Sequence, residues 1–145
     1  MMPIDPLDAL DAALRSSFRL FAERCFVHLH PGKEFLPKWH HQAIDHVLGQ
    51  ILRGETNRLI INIQPRSLKS LIVSVAYPAF VLGQDPKKKI YVISYGADLA
   101  DRHSSDFNAI VKSEWYQRVF ETCGSRRASA TRSPPPSADI DARRP

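Results

Sequence analysis

The chain has 145 residues, of which 43% are hydrophobic and 24% are charged, and its formal net charge is +5. This composition is that of a soluble globular protein, and no apolar run approaches the ~20 residues that a membrane span requires. Two cysteines are too few for a disulfide framework or a cysteine-based metal site, so we expect reduced thiols in an intracellular protein. The mild basic excess would suit a partner rich in phosphate.

Two helices are predicted in the first third of the chain. Leucines and phenylalanines recur at helical spacing from Pro6 to Phe26, and Asp5 before them is a good capping residue. A loop with proline and glycine follows. The second helix begins near Trp39 and ends before Gly54, which can take the left-handed conformation that closes a helix. The five histidines at positions 28–46 lack metal-ligand spacing, and we interpret them as solvated or core-edge residues.

The functional interpretation depends on the segment from Arg58 to Leu82. An apolar, β-branched run, Leu59 to Ile63, predicts a buried strand, and the polar turn Gln64 to Ser70 follows it. A helix is then predicted to about Phe80, kinked or ended by Pro78. A strand, a tight loop that ends in Lys-Ser, and a helix form the skeleton of a phosphate-binding loop.

The chemistry of such a loop is specific. Its backbone amides meet the positive end of the helix dipole, Lys69 would contact the β- and γ-phosphates, and Ser70 would hold the magnesium ion of Mg-ATP. The usual pattern has two glycines, and here Ile63 and Leu68 stand in their places. An ordinary strand-turn-helix with an exposed lysine is therefore the alternative.

A second buried strand is predicted from Ile90 to Ser94, and a third helix follows Tyr95-Gly96-Ala97-Asp98. Strand, helix, strand and helix in this order predict an α/β domain with parallel neighbouring strands. Ligands of such sheets bind beyond the carboxyl ends of the strands, where the Gln64–Ser70 loop would lie, and this placement favours phosphate binding. The basic triplet Lys87 to Lys89 is either a nucleic-acid contact or, more typically, a solvated entry to the strand.

The pattern stops after Phe120. Residues 121–145 hold no aromatic residue and no periodicity, so we expect this tail to be disordered. The abrupt change also suggests a gene that is interrupted or read out of frame past about Phe120. Sequencing the downstream DNA in all frames would test that hypothesis.

Four segments together resemble the large terminase subunit of tailed bacteriophages, the motor ATPase-nuclease that packages DNA into the capsid. They read PKWHHQAIDHVL, RLIINIQPRSLKSLIVSVAYPAFVLG, IYVISYGADLADRHSSDF and SEWYQRVF, and they cover about Phe35 to Phe120. The phosphate loop of that family has an arginine inside the loop and often lacks the usual glycines. This form is matched here by Pro65, Arg66, Lys69 and Ser70.

The resemblance implies ATP and magnesium as cofactors, and it assigns the cofactor-binding residues Gln64, Pro65, Arg66, Ser67, Lys69 and Ser70. It implies a catalytic role for Arg66, as an arginine in cis that stabilises the γ-phosphate, with an exposed turn residue as the alternative. It implies adenine recognition by the amide of Gln42, which can donate and accept at once. The implied partners are double-stranded DNA, the small terminase subunit and the portal protein, in the cytoplasm of a bacterial host and without a membrane.

We therefore expect a fragment of a P-loop ATPase of the three-layer α/β type. Its predicted parts are a helical segment with the adenine-side motif at 1–57, a partial ATPase core at 58–120 and the tail at 121–145. The apolar strand ending in Asp-Glu that the family uses for hydrolysis, and its nuclease domain, do not occur in the sequence, so we expect ATP binding without useful hydrolysis. The alternative is a small basic nucleic-acid-binding or interaction protein without nucleotide chemistry.

Overall fold

A computed structural model describes residues 5–120, which form helices joined by loops. The elements are α1 (Pro6–Ser16), α2 (Phe18–Leu29), α3 (Trp39–Leu52), a π-helical segment (Leu71–Ala76), α4 (Tyr77–Gln84), α5 (Ala97–Val111) and α6 (Glu114–Val119). No helix within residues 5–120 combines the length and the apolar character needed to cross a membrane. The predicted disordered, out-of-frame tail at 121–145 lies outside the described residues.

The predicted α/β fold with parallel strands is wrong, because residues 5–120 contain helices and no β-strand or sheet. Exposure alternates residue by residue along 59–63 and 90–94, as expected for an extended chain. However, no backbone hydrogen bond joins either segment to another residue of the described part. A β-strand exists only where a neighbouring strand completes its hydrogen bonds. The two predicted buried strands are therefore neither paired nor fully buried, since Ile60, Tyr91 and Ile93 are 87%, 83% and 92% exposed.

The predicted first helix is in fact two helices, separated at Ser17. The backbone of Ser17 is extended, with φ −119° and ψ 110°, and its hydroxyl accepts a hydrogen bond from the amide of Leu20 at 3.4 Å. Serine favours such a cap because its short side chain satisfies an amide at the helix start. The prediction for α3 is confirmed at Trp39, and Gly54 beyond its end has a φ of +76°.

One continuous helix of mixed type runs over 69–84, first through the π-helical segment and then through α4. The amide of Tyr77 bonds to the carbonyl of Ile72, five residues earlier, which is the π-type spacing. Pro78 follows directly, and the helix continues past it to Gln84, so the predicted possibility that Pro78 ends the helix is wrong. The wider turn before Pro78 accommodates a ring that would otherwise meet the carbonyl four residues back.

The main core is built around α2, which packs against α1, α3, the π-helical segment, α4 and α5. Phe21 on α2 is fully buried, and its ring contacts the rings of Phe80, Trp115, Tyr116 and Phe120 at centroid distances of 5.3 to 6.1 Å. Tyr116 also donates a hydrogen bond to the carbonyl of Ala79 at 2.8 Å. Helix 69–84 is thereby fixed against the rest of the molecule.

A smaller apolar cluster holds segment 59–63 in place. Ile44 and Leu48 of α3 and Ile72 of the π-helical segment form its buried centre. The partly buried side chains packed against it include Leu59, Ile61, Ile63 and Leu68. Ile63 and Leu68, on the two sides of residues 64–67, both pack against this cluster. The cluster therefore positions the turn that leads into helix 69–84.

Candidate functional site

In the turn between segment 59–63 and helix 69–84, the backbone φ angle alternates in sign from residue to residue. Arg66 and Leu68 have positive φ angles, +63° and +58°, and they are the non-glycine residues of the described part that do. The ring of Pro65 holds its φ angle at about −65°, and the φ angle of Ser67 is not positive. Alternation of this kind directs successive backbone N–H groups to one side and forms an anion-binding concavity. Of the two positions that the usual pattern gives to glycine, Leu68 takes the left-handed conformation and Ile63 does not. The second left-handed residue is Arg66, and each such residue costs about 1 kcal/mol.

Ser67 stabilises this turn through a hydrogen bond within it. Its side chain is buried, and its hydroxyl donates a hydrogen bond to the carbonyl of Gln64. Leu68 packs into the smaller apolar cluster. Two non-glycine residues keep positive φ angles only where the surroundings fix them, and these contacts on either side of Arg66 provide that restraint.

His41, in the first turn of α3, lies against the same turn. It is buried, stacks on Phe35 with a centroid distance of 5.2 Å, and its Nδ1 accepts a hydrogen bond from the amide of Lys38 at 3.2 Å. Burial lowers the pKa of His41, and the neighbouring His40 lowers it further, while the backbone of Ser67 acts in the opposite direction. Burial and His40 thus favour the neutral form of this imidazole beside the turn.

The start of helix 69–84 supplies further donors. The carbonyl of Leu68 accepts the first helical hydrogen bond, from the amide of Ile72 at 2.9 Å. The amides of Lys69, Ser70 and Leu71 precede that bond and have no acceptor within residues 5–120. Unpaired amides at a helix N-terminus carry the positive end of the helix dipole, so they favour an anion.

A pocket opens beside this turn. Its walls consist of the turn, the start of helix 69–84, one face of α5 and the end of α2. The lining residues are His30, Ile63, Gln64, Pro65, Arg66, Ser67, Leu68, Lys69, Ser70, Leu71, Val75, Leu99, Arg102, His103 and Asp106. Arg66 and Lys69 bring positive charge from the turn, and α5 adds Arg102 and Asp106. None of these four charged groups forms an ion pair with another residue of the described part.

The sequence interpretation missed Arg102 and Asp106. Their spacing of four residues places them on one face of α5, which is the signal that could have identified them together. Nothing in the sequence indicated that this face turns toward the Gln64–Ser70 turn, because the prediction placed a sheet there. The family's acidic residues would follow an apolar strand, whereas Asp106 lies on a helix.

The structure brings six of the predicted binding residues together, since Gln64, Pro65, Arg66, Ser67, Lys69 and Ser70 all line the one pocket. It does not bring Gln42 to them: that side chain is exposed on α3 and is not part of the pocket lining. Trp39 at the start of α3 is 79% exposed, and Tyr95 before α5 is 97% exposed.

These residues fit a phosphate group with a magnesium ion. Two cationic side chains of the turn and three unpaired amides are the donors that phosphate oxygens require. The hydroxyl of Ser70 and the carboxylate of Asp106 are hard oxygen ligands of the kind magnesium prefers. No group of three or more His, Cys, Asp or Glu side chains within residues 5–120 could hold a metal by itself, so magnesium here would depend on phosphate oxygens as well.

Comparison of the chain with protein-family models, with curated proteins and with solved structures found no match. The resemblance to terminases accordingly rests on the four sequence segments alone.

Proposed function

We propose that the chain binds the triphosphate of Mg-ATP in the pocket beside residues 64–70. The observation that carries this proposal is the alternating sign of φ along 65–68 immediately before the start of helix 69–84. That arrangement gathers backbone donors at the positive end of a helix, and Lys69 adds a mobile charge at the same place. An ordinary turn with an exposed lysine has no need of two left-handed non-glycine residues.

Each residue of the turn has a distinct role in this proposal. Lys69 contacts the β- and γ-phosphates, and Arg66 neutralises charge on the γ-phosphate. Ser70, together with Asp106 across the pocket, holds magnesium against the phosphate oxygens. Ser67 contributes through its backbone and shapes the turn, because its hydroxyl is already used by the carbonyl of Gln64.

We propose ATP binding without efficient hydrolysis for this chain. Hydrolysis needs one group for the metal and a second group that orients the attacking water. Asp106 is the carboxylate that lines the pocket, and no second carboxylate among the described residues accompanies it. Asp106 therefore serves the metal in this proposal, and among the described residues the pocket has no further carboxylate to act as a general base on water.

The resemblance to terminase large subunits extends this proposal to a biological role. The chain would be the ATP-binding part of a motor that drives double-stranded DNA into a capsid in a bacterial cell, with the small terminase subunit and the portal protein as partners. The support for this role is the set of four segments quoted from residues 35–120 and the lysine, serine and arginine that they place in the pocket.

A series of ligands tests the phosphate proposal by calorimetric titration of the full chain in magnesium. Affinity should fall in the order ATP, ADP, AMP, and inorganic tripolyphosphate should bind nearly as well as ATP, because the recognised group is the phosphate chain. Adenosine should not bind measurably. Adenosine binding as tight as that of ATP would contradict the proposal.

The second candidate is a basic nucleic-acid-binding protein that does not use nucleotide. Lys87, Lys88 and Lys89 are all exposed and form no ion pair with other described residues, which supports this function. It predicts duplex DNA binding that weakens steeply with salt, persists in Lys69→Ala and is lost when the three lysines become glutamine. Loss of DNA binding in Lys69→Ala would instead link it to the nucleotide pocket.

A further inference from the structure

Residues 90–95 lie on the surface with one face on the helices and one face in solvent. Ile90, Val92 and Ser94 line a cavity of about 290 Å³ between this segment, helix 69–84 and α5. The side chains between them point outward, and Tyr91, Ile93 and Tyr95 are 83%, 92% and 97% exposed. Three large apolar or aromatic side chains at alternate positions form an unusually exposed apolar surface for so short a segment.

The backbone of this segment is also unpaired. No hydrogen bond joins the amides or carbonyls of 90–94 to another residue of the described part. An alternating, β-branched segment with free backbone groups is a template for the addition of a strand from another chain. The exposed backbone and the exposed side chains thus indicate the same kind of partner, an extended chain.

We propose that this segment pairs in antiparallel fashion with the same segment of a second copy of the chain. A two-fold axis at Val92 would place Tyr91 opposite Ile93 of the second copy, and Ile93 opposite its Tyr91. Aromatic and β-branched residues are favourable cross-strand partners. The segment is therefore complementary to itself in this register, and the symmetry provides both pairs at once.

The charges at the two ends support the same register. Lys87 to Lys89 precede the segment, and Asp98 and Asp101 lie in the first turns of α5 after it. Antiparallel pairing about Val92 places the lysines of each copy opposite residues 95–97 of the other, next to the start of the helix that carries these acids. Within residues 5–120 none of these charged groups already forms an ion pair, so they are free to attract a second copy.

Segment 59–63 is the natural comparison for this proposal. Its exposure alternates in the same way, and Ile60 is 87% exposed. However, Ile60 is the one large apolar side chain that this segment exposes, and no run of lysines precedes it. A change at Ile60 therefore alters exposed apolar character to the same degree without touching the proposed interface.

Sedimentation equilibrium of the full chain tests the proposal with two matched variants. Wild type should form a dimer, and Ile93→Lys should weaken dimerisation by about tenfold, because the two new lysines lie diagonally across the pair and each displaces a cross-strand contact. Ile60→Lys should leave the dimer unchanged. A wild-type chain that stays monomeric at high micromolar concentration, or equal effects of the two variants, would overturn the proposal.

A charge exchange tests the register itself. Lys88→Glu and Asp98→Lys should each weaken the dimer, and the double variant should restore it, since pairing about Val92 places Lys88 opposite Gly96 of the second copy, close to its Asp98. The circular dichroism of each variant should match that of wild type, which separates loss of pairing from loss of folding. Single variants with wild-type dimerisation, or a double variant weaker than both, would contradict this register.

Discussion

Arg118 on α6 donates two hydrogen bonds to the carboxylate of Asp11 on α1. The Nε–Oδ2 distance is 2.6 Å and the Nη2–Oδ1 distance is 3.2 Å. Asp11 is 3% exposed, whereas the Arg118 side chain remains about half exposed. A buried carboxylate requires a charged, hydrogen-bonded partner, so this pair ties the first helix to the last described one.

The asymmetry of this pair leads to a stability prediction. Arg118→Ala leaves a buried carboxylate without its partner, so the urea midpoint of unfolding should fall clearly. Arg53→Ala is the matched control, because it removes an ion pair of similar length, 2.7 Å to Glu55, in which both side chains are about half exposed. The control should shift the midpoint little. Equal shifts would show that the burial of Asp11 does not matter.

Arg66 has a strained backbone and a proposed binding role, and comparing its glycine and alanine variants separates the two effects. Arg66→Gly should be about 1 kcal/mol more stable than Arg66→Ala, because glycine takes the φ of +63° without steric cost. Both variants should bind Mg-ATP about tenfold more weakly, since each loses one charge-assisted contact. Thermal unfolding and calorimetric titration measure the two effects. Unchanged affinity would mean that Arg66 is an exposed turn residue and no more.

His41 predicts a pH dependence of stability. Its pKa is lowered in the folded chain by burial and by His40, so the unfolded chain binds the proton more tightly. The contribution of His41 to the free energy of unfolding is complete above pH 6.5, the ordinary histidine pKa, and is lost as the pH falls below that value. His41→Asn, which keeps an acceptor for the Lys38 amide, should flatten this slope in urea unfolding between about pH 7.5 and 5.5. The exposed control His46→Asn should retain the slope.

Two helical glycines should respond oppositely to alanine. A Cβ at Gly83 would come within 2.6 Å of the Phe120 ring, so Gly83→Ala should destabilise the chain by about 1–3 kcal/mol. A Cβ at Gly49 meets only the movable guanidinium of Arg53, at 3.2 Å, so Gly49→Ala should stabilise by about 0.5–1 kcal/mol. Thermal denaturation measures both. A stabilising Gly83→Ala would mean that α4 and Phe120 are not in close contact.

Helical periodicity predicted the positions of most helices, because a one-sided apolar stripe is encoded within ten to fifteen residues. The spacing of Ile44 and Leu48 identified α3, and the residues after Tyr95 identified α5. The break at Ser17 was missed, since the apolar spacing continues through it while a capping serine ends the first helix.

Pairing between distant segments was beyond what local pattern can specify. Residues 59–63 and 90–94 have the alternation of strands, yet a strand depends on a neighbour that the pattern does not name. The turn residues at 64–70 were identified from a motif and a family resemblance. Asp106 was not, because its relevance comes from the orientation of α5 toward the turn. Gln42 was expected beside the nucleotide from resemblance, and the structure places it away from the pocket lining.

The central claim is that Lys69 and the turn before it bind the phosphates of ATP, and calorimetric titration of Mg-ATP into two lysine variants tests it most directly. Lys69→Ala should weaken binding by about tenfold or more, because it removes the cation at the helix start. Lys33→Ala, which removes an exposed lysine outside the pocket, should bind as wild type does. Equal affinities for wild type, Lys69→Ala and Lys33→Ala, or no binding by wild type, would contradict the claim.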